Sequence, residues 1–412
     1  MKSHLNYPLG YCLAIVLFFL MSCSEMTEKP AQVEAELNTS QFQKIQTRAI
    51  EDQFIVVFHE KEINFRLSGS EKNLDEAAMR KASMEFLAKY NLDGSALERV
   101  YVYALTGFVA RINSEQVQKM KLDPQVKFIE QDREGEFFLN GNPHVPQPVP
   151  APNTQIVPWG IKRVGGPFLY KGNRCVFVVD TGINLDHPDL NVNEKKGFDA
   201  YTEKTKDWNL NDEHGHGTHV AGIIGAIDNH LGVVGVASGV SLVPVKVFSG
   251  ARGYFTFSGI LAGLDHIGRK GVPGDVANLS FGGFDESRAI DEAVLNISER
   301  KKVWMVIAAG NSGLPATSFS PARVSGPFTI TVAAMDSRNR FAWFSHYGPP
   351  IKFAAPGVSI YSTWRNGTYR TETGTSMAAP HVAGLRILGE VDTDGYVLNY
   401  PVAHPAPIAF RR

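Results

Sequence analysis

From Pro158 onward the chain alternates apolar, strand-like runs with helical or glycine-rich stretches. The runs are Cys175–Val179, Leu242–Val247, Val276–Leu279, Val303–Ala308 and Ile330–Val332. Short runs that are apolar throughout fit strands covered on both faces, and the segments between them fit parallel crossovers. The expectation is a doubly wound α/β fold with a mostly parallel sheet. In such a sheet, functional side chains gather at the carboxyl ends of strands and at the adjacent helix starts. Asp180 follows the first run, and His216 and Ser376 each precede a helical stretch.

Ser376 stands in Gly374-Thr375-Ser376-Met377-Ala378-Ala379, among small residues at the expected start of a buried helix. There a backbone N–H can face a substrate carbonyl, and the helix dipole favours developing negative charge. A nucleophilic serine needs a base, a group that orients the base, and an oxyanion donor. His216, Asp180 and Asn311 supply these types. A rival reading gathers His214, His216 and His219 with Asp212 and Glu213 into a zinc cluster. Helical zinc histidines favour i,i+4 spacing, whereas Gly215 and Gly217 interrupt this approach, so no catalytic metal is expected. His219 is expected to face the core and His214 the solvent.

Val176–Gly182, His216–Gly222 and Gly374–Gly384, in that order, resemble the aspartate, histidine and serine blocks of the subtilisin-like serine proteases. The resemblance covers roughly Gln155 to Gly384 and implies an endopeptidase that works through an acyl-enzyme. It makes Ser376 the nucleophile, His216 the base, Asp180 its orienter and Asn311 the side-chain oxyanion donor. Asn278-Leu279-Ser280-Phe281-Gly282-Gly283 resembles the edge strand on which substrate peptides lie, with Ser280, Phe281, Gly282 and Gly283 as substrate-binding residues. Two readings of Phe281 stand, one in which it narrows a subsite and one in which it turns into the core. Phe319 and the two glycines imply an apolar pocket for the residue before the cut. The family's strong calcium site is matched by Asp189 and Asn229 side chains, Ile227, Leu231 and Val233 carbonyls and the Gln155 amide. The implied cofactor is a structural Ca2+.

The first residues read as an export signal: Lys2 and His4, then the apolar run Leu9 to Met21, too short for a comfortable membrane span. Leu20-Met21-Ser22-Cys23 resembles a bacterial lipobox, which makes Cys23 the lipidation site and the signal residues 1–23. Residues 24–49 read as a flexible tether. Residues 50–138 follow a strand–helix–strand–strand–helix–strand pattern that resembles the family's inhibitory propeptide, a small ferredoxin-like α+β domain. Its second helix is expected to start with a cap at Ser114. Residues 139–157 form a Pro-rich linker and maturation region, 158–390 the subtilisin-like catalytic domain, and 391–412 an atypical tail. That tail either leaves core exposed or covers it.

Of the three cysteines only Cys175 would remain in the folded body, so no internal disulfide is expected. The formal charge of −1 gives no reason to expect a nucleic-acid partner. The expected partners are polypeptide substrates and the chain's own propeptide, in a monomer. The expected location is the cell envelope for a lipid-anchored precursor, with release of the mature enzyme.

Overall fold

The computed structural model describes residues 45–62, 72–137, 147–152, 154–202 and 209–412. The export signal with Cys23, most of the tether and part of the Pro-rich linker lie outside the described residues.

The N-terminal unit runs β1 (Thr47–Phe58), α1 (Lys72–Ala88), β2 (Leu97–Tyr101), β3 (Gly107–Arg111), α2 (Ser114–Met120) and β4 (Val126–Glu136). Its strands pair antiparallel in the order β4-β1-β3-β2, a ferredoxin-like arrangement. Phe58, Phe86 and Phe108 meet in its core with ring centroids 5.0 to 6.0 Å apart. β1 starts at Thr47 and β4 runs on to Glu136, beyond the apolar runs, because their ends pair with each other, Thr47 opposite Gly135. The cap of α2 is Asn113, not Ser114. Its side chain accepts from the Gln116 N–H at 2.9 Å, and the Gln116 side chain accepts from the Asn113 N–H at 3.0 Å. This reciprocal pair satisfies two donors that the helix leaves open.

Downstream, α3 (Trp159–Arg163) and β5 (Phe168–Leu169) lead to β6 (Cys175–Asp180), β7 (Phe198–Asp199) and α4 (His216–Gly225). Then come β8 (Ala237–Ser238), β9 (Ser241–Lys246), β10 (Tyr254–Thr256), α5 (Phe257–Lys270), β11 (Val276–Leu279), α6 (Arg288–Lys301) and β12 (Trp304–Ala308). The chain continues through β13 (Thr329–Met335), β14 (Ile351–Pro356), the hairpin of β15 (Ile360–Trp364) and β16 (Thr368–Glu372), α7 (Thr375–Leu388), β17 (Asp392–Tyr396) and β18 (Pro407–Phe410). Nine of these strands form one sheet in the order β17-β18-β14-β13-β12-β11-β6-β9-β7, parallel except for β17 on β18. The central strands are buried along their whole length, as their continuous apolarity requires. Cys175 in β6 is a buried core side chain whose thiol is pushed up to about 12 by burial.

One face of this sheet packs on α5 and α6 through Ile260, Leu264, Ile290 and Val294, and the same core takes in Ile55, Tyr101 and Val109 of the N-terminal unit. The other face carries α4 and α7, both almost wholly buried. The tail covers core. β18 pairs parallel with β14, and Val397, Ala406 and Ile408 close over Met335 and Ala354.

Candidate active site

Asp180 is the last residue of β6, His216 the first of α4, and Ser376 the second of α7. The parallel sheet therefore brings three residues distant in sequence to one end of its central strands. His216 Nδ1 lies 2.8 and 3.0 Å from the two Asp180 carboxylate oxygens. Burial of the ring opposes its charge, but the charge and hydrogen bond of Asp180, with Glu372 and Asp212, outweigh that and raise the His216 pKa. Asp212, which the sequence offered only as part of a rival zinc cluster, is the hub of this region. It accepts from Thr181 Oγ1, the His214 and Gly215 N–H groups, and the N–H and Oγ1 of Thr218, so it ties the Asp180 turn to the start of α4.

The three histidines face different partners. His219 is buried with Nε2 3.1 Å from both Ile360 O and Arg370 O. His214, expected in solvent, is half-buried against Trp364, with ring centroids 5.7 Å apart, and its pKa is pushed down to about 3 by burial and by the neighbouring His216 charge.

Ser376 is held by a reciprocal pair with Ser280. Ser376 Oγ donates to Ser280 O, and Ser280 Oγ donates to Ser376 O, both at 2.8 Å. The second bond has a local cause. Pro380, four residues on, has no N–H to offer the Ser376 carbonyl, and Ser280 supplies the missing donor. Asn311 is aimed in a similar way. Its Oδ1 accepts from Thr375 N and Thr375 Oγ1, each at 2.8 Å, which leaves the amide NH2 toward Gly374. A Cβ built on Gly374 would lie 3.4 Å from Asn311 Nδ2 and 3.8 Å from Ser376 N, so the glycine stands between these two N–H groups.

One part of the expected substrate rail differs: its strand is not at an edge of the sheet. Asn278 and Leu279 belong to β11, an inner strand between β6 and β12, and Ser280 to Gly283 follow its carboxyl end. Phe281 turns into the core, fully buried, with its ring 5.3 Å from Phe248 and 5.9 Å from Phe284. A short strand that the sequence reading missed, β10, carries a segment of the N-terminal unit. There β4 lies antiparallel, with Glu136 opposite Tyr254 and Gly135 opposite Phe255. The next residue, Phe137, donates its N–H to Gly253 O at 3.0 Å, and its ring centroid is 5.8 Å from that of His216. The end of the N-terminal unit thus lies against His216.

The residues proposed for calcium also converge. Gln155 Nε2 is 2.9 Å from Ile227 O and 3.4 Å from both Asn229 Oδ1 and Val233 O. Asp189 is fully buried beside them, and its carboxylate accepts from Asn229, the Val233 N–H and the Tyr369 hydroxyl, all neutral donors. Burial raises its pKa. Leu231 joins the cluster through its N–H, 2.8 Å from Asn229 Oδ1.

Comparison with known proteins agrees with this architecture. The subtilase family matches residues 172–388, and the peptidase inhibitor I9 family matches residues 53–137. An extracellular serine proteinase from Thermus sp. (strain Rt41A) is 34% identical over 97% of this chain and 92% of its own length. Subtilisin Savinase from Lederbergia lenta is 43% identical over 57% of this chain and 84% of its own. Among solved structures, a cold adapted subtilisin-like serine proteinase superposes with a TM-score of 0.53 at 32% identity, covering 62% of this chain and 97% of that one. By the extent of these matches, the chain belongs to the subtilase family of serine proteases and carries an inhibitory propeptide ahead of its catalytic domain.

Proposed function

We propose that this protease cuts peptide bonds through Ser376, with His216 as base, Asp180 as its orienter and Asn311 as oxyanion donor. Ser376 Oγ bonds to the substrate carbonyl carbon as its proton passes to His216. Asp180 holds the ring by Nδ1 and stabilises the imidazolium. The carbonyl oxygen takes up negative charge between Asn311 Nδ2 and the Ser376 N–H. Collapse breaks the C–N bond, His216 returns the proton to the leaving amine, and water then releases the acyl group by the same path.

The observation that carries this reading is the end of β4, laid along β10 with Phe137 against His216. A peptide held there is an inhibitor until it is cut. The precursor then separates residues 50–138 from the catalytic domain by cleavage between about Glu136 and Thr154. Intact mass of wild type beside Ser376→Ala, both expressed from Ser24 onward, tests it. Wild type breaks in that window and the variant stays whole. A variant that is processed like wild type removes Ser376 from the mechanism.

The relatives include extracellular proteinases, and we propose that this chain is exported with a lipid on Cys23. Cleavage after the propeptide leaves that lipid behind and frees the enzyme. Acyl groups still present at Cys23 of mature enzyme taken from membranes would disprove the release.

Calcium fits the cluster around Asp189. One buried carboxylate, one asparagine oxygen, three backbone carbonyls and a reversible amide would make the mixed oxygen set that a hard cation takes. Gln155, Ile227, Asn229, Leu231, Val233 and Asp189 would hold the ion, which would tie the start of the catalytic domain to two loops. Binding to the folded state alone stabilises by mass action. Chelation should therefore lower the Tm of wild type and leave Asp189→Asn unmoved. A wild-type Tm indifferent to chelation and calcium would refute the site.

A further inference from the structure

We propose that the mature enzyme prefers peptides with a glycine two residues before an aromatic side chain that rests on His216, and that Phe255 enforces the glycine. The inference builds on the protease reading above and concerns which sequences that site accepts.

The peptide segment seen on β10 runs Glu134-Gly135-Glu136-Phe137. Side chains in a strand alternate between faces, so Gly135 and Phe137 present the same face and Glu136 the other. Phe137 fills a place built for an aromatic ring. Its centroid lies 4.8 Å from Phe248, 5.8 Å from His216 and 6.5 Å from Phe284. Offset and edge-on contacts of this kind favour an aromatic side chain over an aliphatic one of similar size.

At Gly135 the same face offers no room. A Cβ built there would fall 2.9 Å from Phe255 Cζ and 3.1 Å from Cε1, closer than a carbon contact allows. The tip of a side chain often swings away at small cost. In the precursor this one is fully buried, and within the catalytic domain its ring stands 4.9 Å from Phe284, 5.6 Å from Phe248 and 6.5 Å from Phe257. Moving it disturbs a packed aromatic cluster that also backs the Phe137 place. The built Cβ meets a second obstacle, Gln46 O at 2.9 Å, but that atom belongs to the propeptide and is absent when a free peptide binds. Of these nearest contacts, those with Phe255 carry the restriction over to substrates. The two charged residues of the segment reach only the rim, where Glu134 accepts from the Tyr254 hydroxyl at 2.6 Å and Glu136 pairs with Arg252 at 3.2 Å.

The test uses self-processed enzyme and the peptide Glu-Gly-Glu-Phe-Phe-Leu-Asn-Gly, the sequence of residues 134–141, with Leu or Ala in place of its Gly135 equivalent and Ala in place of its Phe137 equivalent. Mass spectrometry of the products fixes the cut. Overpacking a closed site predicts that the leucine peptide loses roughly tenfold or more in kcat/KM, with the alanine peptide between. Replacing the first Phe by Ala should also cost roughly tenfold. In Phe255→Ala the order of the glycine and leucine peptides reverses, and Phe255→Leu serves if the alanine variant does not fold. Equal or faster cleavage of the leucine peptide by wild type overturns the proposal, as does a glycine preference that survives in a folded, casein-cleaving Phe255 variant. Failure of wild type to cleave casein at all would instead count against the protease reading on which the inference rests.

Discussion

The side chains proposed to perform the chemistry are few, and they are held in place by hydrogen bonds with their neighbours. Asn311 shows the arrangement best, because two hydrogen bonds from Thr375 consume its oxygen and leave only the amide NH2 to face the reacting carbonyl. Asn311→Ala removes that donor without touching the Asp180–His216 pair. Turnover should fall by about 10²–10³, the loss that removing this donor causes in the family, with KM little changed. Unchanged turnover would take Asn311 out of the mechanism. The candidates Asp180, His216, Ser376 and Asn311 could be named from the sequence because nucleophile, base and donor must be of these residue types and follow strands or open helices. Their supports could not. Asp212 looked like one acid in a histidine-rich stretch, and only the fold reveals that its carboxylate accepts five hydrogen bonds from the loop holding His216 and from Thr181. The side of the chain that Phe281 faces was equally undecidable from sequence, since a ring at a strand end can pack into the core or line a groove.

Among elements, the joint between propeptide and enzyme is built on helix N-termini. Asp132 accepts from the Ser258 N–H at 3.0 Å at the start of α5, and Glu130 accepts from the Ala289 N–H at 2.9 Å at the start of α6. Asp265 of α5 answers from the other side, with one carboxylate oxygen accepting from the Val102, Tyr103 and Ala104 N–H groups at 2.6 to 3.0 Å. Burial raises the pKa of all three carboxyl groups, that of Asp265 to about 6 from an ordinary 3.8. A carboxyl group raised by docking takes up a proton as it docks. The advantage is therefore full below its ordinary pKa and is lost as pH climbs through the raised one. Glu134 is shifted downward, chiefly by its hydrogen bond from Tyr254, so its opposite contribution fades only below its ordinary 4.5. Between pH 5 and pH 8 the propeptide segment should thus bind the Ser376→Ala enzyme domain progressively more weakly, by roughly tenfold from Asp265 alone. Asp265→Asn, which keeps the acceptor and cannot titrate, should flatten the curve. Affinity that rises with pH over this range would contradict the assignment. The propeptide fold was readable from its apolar runs, whereas β10 spans only Tyr254–Thr256 and becomes a strand by pairing with β4. Nothing in three residues announces such a role.

At the level of the whole molecule, the sheet ends differently from what the family resemblance suggested, and the tail is what closes it. The sequence signalled only that the pattern departs after α7, because Asp392 to Phe410 contains neither a long apolar run nor a helical period. In the fold, β18 takes the place beside β14 and β17 caps β18, while Arg411 donates its N–H to Val164 O at 3.0 Å and so fastens the tail near the start of the catalytic domain. Arg163 adds an ion pair to Asp394 at 3.1 Å, whose partly exposed carboxylate makes it a minor contributor. The weight lies in burial. Val397 and Ile408 are almost wholly removed from water, each worth about 1.5–3 kcal/mol, and their loss would also uncover Met335 and Ala354. Against a total stability of about 5–15 kcal/mol, that is a large fraction. Truncation after Gly389 should therefore lower the melting temperature of the processed enzyme by roughly 10 °C or more, and shorten its half-life on warming, while the Asp180–His216 pair stays as built. The active site lies at the ends of β6, α4 and α7, none of which the tail forms, so molecules of the truncated enzyme that remain folded should keep near-normal kcat when active sites are counted by titration. A truncated enzyme as heat-stable as the full chain would show that β17 and β18 decorate the sheet without holding it.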